Sequence, residues 1–128
     1  MDKKIIGTAA VFGASGIILG AFGAHALKKV LEPDSLVAFE TGVRYQMYHA
    51  LFLLFVGTTT LLSAKAKKAI LTLVLIGVIF FSGSIYLLSA NVLFPVDFKP
   101  FGFITPIGGL LLITAWVILF LQIIRGRR

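Results

Sequence analysis

The chain contains no cysteine, and its five acidic residues face twelve lysines and arginines. Without cysteine there are no disulfides, iron–sulfur clusters or thiolate metal sites, and the redox state of the compartment stays open. Charged residues make up 13% of the sequence, about half the share in soluble proteins. A solvated polar surface is therefore missing. The acids avoid the long apolar stretches altogether, which denies the chain the mid-helix carboxylate on which small proton-coupled transporters depend. Histidine occurs twice and tryptophan once. No Glu-x-x-His or His-x-x-x-His pattern surrounds either histidine, so spacing offers no metal site.

Hydrophobic residues fill the remainder, at 59% of 128 residues, and mean hydropathy is +1.03. Four apolar stretches, residues 5–26, 46–63, 69–90 and 105–124, each approach the ~17–25 residues that cross a bilayer. The expected fold is an all-α integral membrane protein, one domain over residues 1–128: four transmembrane helices in a compact bundle, with a short interfacial amphipathic helix between the first two. The net charge of +7 forms no stripe that would read nucleic acid, because the cations sit at helix ends. Lys3, Lys4, Lys65, Lys67, Lys68, Arg125, Arg127 and Arg128 fall on one side, and Lys28, Lys29, Arg44 and Lys99 on the other with Glu32, Asp34, Glu40 and Asp97. That bias puts both termini in the cytoplasm and membrane lipids among the partners. A signal peptide competes for the first stretch, since Lys3-Lys4, an apolar run and Ala24-His25-Ala26 imitate its three regions. The apolar run exceeds the usual ~7–15 residues, so a retained span is expected.

Gly13, Gly16, Gly20 and Gly23 lie on one face of the first helix. Glycine weakens a helix in water, so its repetition implies close backbone approach by another helix. Packing within the chain is the plainer reading, and homo-oligomerisation through that face the alternative. In residues 27–43, Pro33 interrupts the chain, Asp34 or Ser35 is placed to cap, and Leu36, Phe39 and Val43 recur at helical spacing. Gly42 is expected to bend the chain into the second span. The run Arg44-Tyr45-Gln46-Met47-Tyr48-His49 then concentrates polar groups at the mouth of an apolar helix, with Glu40 one turn before Arg44. Interface anchoring would explain the arginine and tyrosines. The competing expectation is a polar network or ligand site at the outer end formed by His25, Glu40, Arg44, Tyr45, Gln46, Tyr48, His49 and Thr105.

Ser82-Gly83-Ser84 reads as a close-packing patch whose hydroxyls bond back to helix carbonyls. Pro95, Asp97, Lys99 and Pro100 make an outer loop, with Phe94, Phe98, Phe101 and Phe103 near the headgroups. Thr105 is expected to cap the last helix with Pro106 at its first position, and Gly108 and Gly109 to permit tight packing.

Gly20-Ala21-Phe22-Gly23-Ala24-His25-Ala26-Leu27, Val43-Arg44-Tyr45-Gln46-Met47-Tyr48-His49-Ala50-Leu51, Phe81-Ser82-Gly83-Ser84-Ile85-Tyr86-Leu87-Leu88 and Ile104-Thr105-Pro106-Ile107-Gly108-Gly109 closely resemble the motifs of the bacterial domain-of-unknown-function family 423, related to eukaryotic transmembrane protein 256. The resemblance implies a four-helix protein of the bacterial cytoplasmic (inner) membrane and transfers no catalytic residue and no cofactor. The resulting expectation is a non-enzymatic structural or accessory protein, or one that holds a lipid or small ligand, with other protein partners unknown. A small oligomeric transporter is the alternative, and a haem- or metal-binding membrane enzyme stands behind it.

Overall fold

A computed structural model describes residues 2–126; Met1, Arg127 and Arg128, the last two counted among the cations of the C-terminal end, lie outside the described residues. Among the described residues the regular structure is helical throughout. Helix α1 is Asp2–His25, α2 is Pro33–Thr58, and α3 is Ala64–Val78, which passes through a π turn at Ile79–Gly83 into α4, Ser84–Ser89. Helix α5 is Ile104–Arg125, and short 3-10 turns occupy Leu27–Lys29, Asn91–Leu93 and Lys99–Phe101.

Three stretches, Asp2–Lys29, Ala64–Ser89 and Lys99–Arg125, are long and apolar enough to cross a membrane. Helix α2 is long enough at 26 residues, but its polar run dilutes its apolar character. It packs antiparallel to α1 along the whole length of that helix. Gly23 lies against Phe39, Gly20 against Val43, Gly16 against Met47, and Gly57 against Ile5 and Ile6, so the register advances evenly from one end to the other. At Gly16 a Cβ would stand 2.7 Å from the Met47 sulfur, so a larger residue there would have to push the Met47 side chain aside. The face carrying Gly16, Gly20 and Gly23 is thus filled by α2 of the same chain, while Gly13 and Gly83 face open space.

Helix α5 packs on α3 and on the π turn. Gly77 meets Leu112, Gly109 meets the Phe81 ring, and Gly108 touches the Phe80–Phe81 backbone so closely that any Cβ there would overlap it. The main core, including Ile5, Leu53, Val56, Ile70, Val74 and Ala115, lies toward the end that holds the N-terminus. A smaller cluster of Leu27, Leu31 and Phe39, backed by Leu36, Val43 and Tyr86, closes the other end. Lys67 and Asp2 pair at 3.1 Å and tie the start of α3 to that of α1, while the Ser63 hydroxyl caps α3 by accepting from the Ala66 N–H.

Three local expectations change. There is no separate interfacial helix with a bend at Gly42: residues 33–58 form one helix, Pro33 sits in its first turn, and Glu32 precedes it without a side-chain cap. Proline suits that turn because its missing N–H would have had no helical partner. Gly42 is a contact position under the Tyr86 ring. Thr105 does not cap α5, because the backbone is already helical at Phe103 and the Thr105 N–H bonds Gly102 O. Its hydroxyl is left free to pair with Ser84.

Candidate functional site

Helical periodicity divides the polar run of α2 between two faces. Gly42, Gln46, His49 and Leu53 recur at intervals of three and four and point inward, whereas Glu40, Arg44 and Tyr48 form an exposed ridge. Gln46 and His49 are only 5% and 4% exposed. In an apolar interior such groups are costly unless each finds a partner.

Gln46 finds three. Its Nε2 donates to the Phe12 carbonyl at 2.9 Å and to Ser15 Oγ at 2.8 Å, and its Oε1 accepts from the Tyr86 hydroxyl at 2.6 Å. One amide therefore links α1, α2 and α4. His49 uses both ring nitrogens. Nε2 stands 3.1 Å from Trp116 Nε1, which only donates, so Nε2 accepts; Nδ1 then carries the proton and donates to the Tyr45 carbonyl at 2.7 Å. The neutral imidazole joins α2 to α5, and the Trp116 ring stacks on Phe52 with centroids 4.1 Å apart. Ser82, in the π turn, donates to the Gly42 carbonyl at 2.8 Å, and Ser84 pairs with Thr105. The π turn aims Ser82 across to α2 rather than back along its own helix, a local departure from α geometry of the kind found at functional positions.

The Gln46 and His49 contacts form a polar ladder at mid-height of the bundle, and the Ser84–Thr105 pair extends it to the end where α5 starts. Phe12 and Ser15 lie in the middle of the 24-residue α1, about 15–20 Å from either end. The outer-end network expected from sequence is therefore displaced inward and has other members. Gln46, His49 and Thr105 belong to it by side chain, and Tyr45 through its carbonyl. The Tyr45 ring packs on Phe81 and Tyr48. Arg44 donates to Thr41 on its own helix at 3.2 Å rather than pairing with Glu40, as expected where water screens both charges. His25 is exposed at the end of α1, about 20 Å along the helix from Phe12, so the two histidines do not converge. Among the described residues no group of three metal-ligating side chains forms.

Ser15, Tyr86 and Trp116 were not singled out from sequence. Each carries a polar atom within an apolar stretch, which is the signal that marks them.

Two clefts flank the ladder, and a larger one lies beyond it at the start of α2. One of about 240 Å³ lies between α1 and the π turn, beside Ser15, Gln46, Gly83 and Tyr86. One of about 280 Å³ lies between α2 and α5, lined by Tyr45, His49, Phe81 and Trp116. The third, about 480 Å³, opens at the start of α2 near Glu32, Ser35, Asn91 and Lys99. In the adjoining loop, the Lys99 backbone N–H and the Asn91 amide both donate to Asp97 Oδ1 at 3.0 Å, and in that order of strength they hold its carboxyl below the usual range.

A family model described as "Protein of unknown function (DUF423)" matches residues 19–109. The chain is 36% identical over 120 residues to the UPF0382 membrane protein of Haemophilus influenzae, covering 91% of this chain and 90% of that protein. It is 33% identical over 125 residues to UPF0382 membrane protein YwdK of Bacillus subtilis, at 96% and 98% coverage. UPF0382 inner membrane protein YgdD of Escherichia coli is 30% identical over 123 residues, at 94% and 88%. No solved structure matches.

Proposed function

Because the chain belongs to the DUF423 family of small bacterial membrane proteins, whose activity is unassigned, we propose that it is a four-span, non-enzymatic accessory protein of the inner membrane. In this reading the ladder locks the bundle, and the lateral clefts hold lipid. The carrying observation is saturation: Gln46 and His49, the polar groups buried beside the two lateral clefts, direct their hydrogen bonds to groups of the same chain. Catalysis needs the opposite, a base or nucleophile with an open valence beside a cavity.

Helix α2 is the fourth span on this reading. It shadows α1 from Gly23 to Ile5, so if α1 crosses the bilayer α2 returns beside it. Its inward polar groups are paired within the bundle, which lowers the cost of placing them in hydrocarbon. The cations Lys3, Lys4, Lys65, Lys68 and Arg125 gather at one end, which supports cytoplasmic termini. The UPF0382 inner membrane protein of Escherichia coli supports the compartment.

The test uses the full chain in nanodiscs, with thermal unfolding and mass spectrometry of retained molecules run together. Gln46→Leu and His49→Phe are expected to lower the midpoint and leave retained lipid unchanged. Variants that keep the midpoint but lose a bound molecule would make the ladder a ligand site and overturn the lock. In sealed membranes, Lys65→Cys, in a chain that has no other cysteine, should react with an impermeant maleimide in inside-out vesicles and not in intact spheroplasts.

A further inference from the structure

We propose that the cleft at the start of α2 binds the headgroup of a phospholipid that carries both an ammonium and a phosphate, with an acyl chain lying over Leu88. The cleft, about 480 Å³, is walled by Glu32 and Ser35 from one side and by Ser89, Asn91 and Lys99 from the other. Several of these polar groups are already engaged. Asn91 uses its amide on Asp97 and its carbonyl on the Phe98 N–H, and the Ser89 hydroxyl donates to the Ile85 carbonyl. They fix the shape of the wall.

Three groups remain for a ligand: the Glu32 carboxylate, the Ser35 hydroxyl and the Lys99 ammonium. The Lys99 charge adds to the field on Asp97, but the Asp97 oxygen is held by N–H donors and the two form no ion pair. Glu32 likewise has no ion-pair partner among the described residues. One unpaired anion and one unpaired cation facing a single cavity match a zwitterion, the ammonium toward Glu32 and the phosphate toward Lys99.

The neighbouring surface says that the zwitterion is a lipid. Leu88 also borders a second cleft of about 220 Å³, lined by Leu87, Phe98, Phe101 and Ile104. A polar cleft that runs over one leucine into an apolar one has the shape of an amphiphile. It opens at the end of the bundle, where loops and headgroups share the same depth. The site is separate from the polar ladder, and it rests on the lipid-holding reading of the chain.

Native mass spectrometry of the detergent-purified full chain, titrated with dioleoyl phosphatidylethanolamine, phosphatidylglycerol, phosphatidylcholine or soluble glycerophosphoethanolamine, tests it. Phosphatidylethanolamine is expected to bind about fivefold tighter than the other two lipids, as one partly exposed ion pair would give. Phosphatidylglycerol has no cation for Glu32, and the quaternary amine of phosphatidylcholine has no N–H to donate. Glu32→Gln should erase that preference, and Lys99→Gln should weaken all three phospholipids, with circular dichroism unchanged because both side chains are exposed. Lys65→Gln should change nothing. Phospholipid binding indifferent to Glu32 would overturn this site and leave the accessory reading standing, whereas failure to retain any phospholipid would overturn both. Glycerophosphoethanolamine binding as tightly as the lipid would overturn the role of Leu88 and with it the lipid.

Discussion

Replacing Gln46 by leucine removes, at nearly constant volume, the three hydrogen bonds that join α2 to α1 and α4. Interhelical hydrogen bonds in membrane proteins contribute about 0.6 kcal/mol on average and about 1.7 at most, so the expected loss is about 2 kcal/mol. What the substitution leaves behind sets where in that range it falls. The Ser15 hydroxyl keeps its 2.7 Å bond to the Val11 carbonyl, and the Phe12 carbonyl remains within α1, so the Tyr86 hydroxyl bears most of the penalty. Tyr86→Phe alone removes one of the three bonds and should cost about 0.6–1 kcal/mol. In the double variant the shared bond can be lost only once, so the two losses should fall short of additivity by about 0.6 kcal/mol. Sodium dodecyl sulfate titration of protein in mixed micelles, followed by far-ultraviolet circular dichroism and by Trp116, the single tryptophan, measures all three variants. Losses that add within about 0.3 kcal/mol would show that Tyr86 and Gln46 act independently and would break the ladder at its centre.

Gly108→Ala should cost about 1–3 kcal/mol or more in the same titration, because its methyl would meet the Phe80–Phe81 backbone rather than a flexible side-chain end. Gly13→Ala should be neutral or stabilising by up to about 1 kcal/mol, since nothing lies within 4 Å of the added carbon; a loss there would mean that α1 packs on a face the fold leaves open. His49→Phe should shift Trp116 emission to shorter wavelength by removing the acceptor of its N–H, and unchanged emission would refute the His49–Trp116 bond. The Asp97 carboxyl is held below its ordinary 3.8 in the folded loop, so its contribution is complete above that pH and is lost as pH falls through the lower folded value. Hydrogen-exchange protection of residues 91–102, relative to the intrinsic exchange rate at each pH, should therefore fall on acidification below about pH 4 in the native chain; Asp97→Asn should abolish that dependence.

The parts of the fold legible in the sequence were those set by continuous apolar length. The first and fourth stretches fall on α1 and α5, and the third on the continuous run from α3 through the π turn into α4, because nothing in them competes with burial in lipid. Helix α2 was misread in its outer half for a definite reason. Asp34 and Glu40 make residues 33–42 look interfacial by composition, yet Phe39 and Gly42 on the opposite face pack against α1 and α4, so the helix runs straight through. The candidate site was legible as a run and obscure as a face. The unbroken run Arg44–His49 does not show which of its residues face inward, whereas in the helix Gln46 and His49 share the inward stripe at three apart. Their partners come from helices 31, 40 and 67 residues away in the chain. No local pattern encodes such contacts, and an isolated Ser15 or Tyr86 has no signature beyond being polar where its neighbours are not.

On the four-span reading, the inward shift of the ladder has a physical consequence. Asp34 and Glu40 occupy the first two turns of α2, which leaves residues 41–58, about 27 Å of helix, to cross about 30 Å of hydrocarbon. Gln46 and His49 then sit roughly 8 and 12 Å below Thr41, deeper than interfacial water reaches. At that depth an amide or imidazole must be matched by the chain itself. The matching groups, Ser15, Tyr86 and Trp116, are drawn from three different helices, α1, α4 and α5. A sequence keeping Gln46 and His49 but replacing those three with apolar residues would leave Gln46 only the Phe12 carbonyl and His49 only the carbonyl of Tyr45 on its own helix, with the Gln46 oxygen and the His49 Nε2 unmatched. The polar run that dilutes the apolar character of α2 is thus what makes it the central helix of the bundle. Because these bonds reach α1, α4 and α5, α2 cannot rotate without breaking contacts on several sides at once.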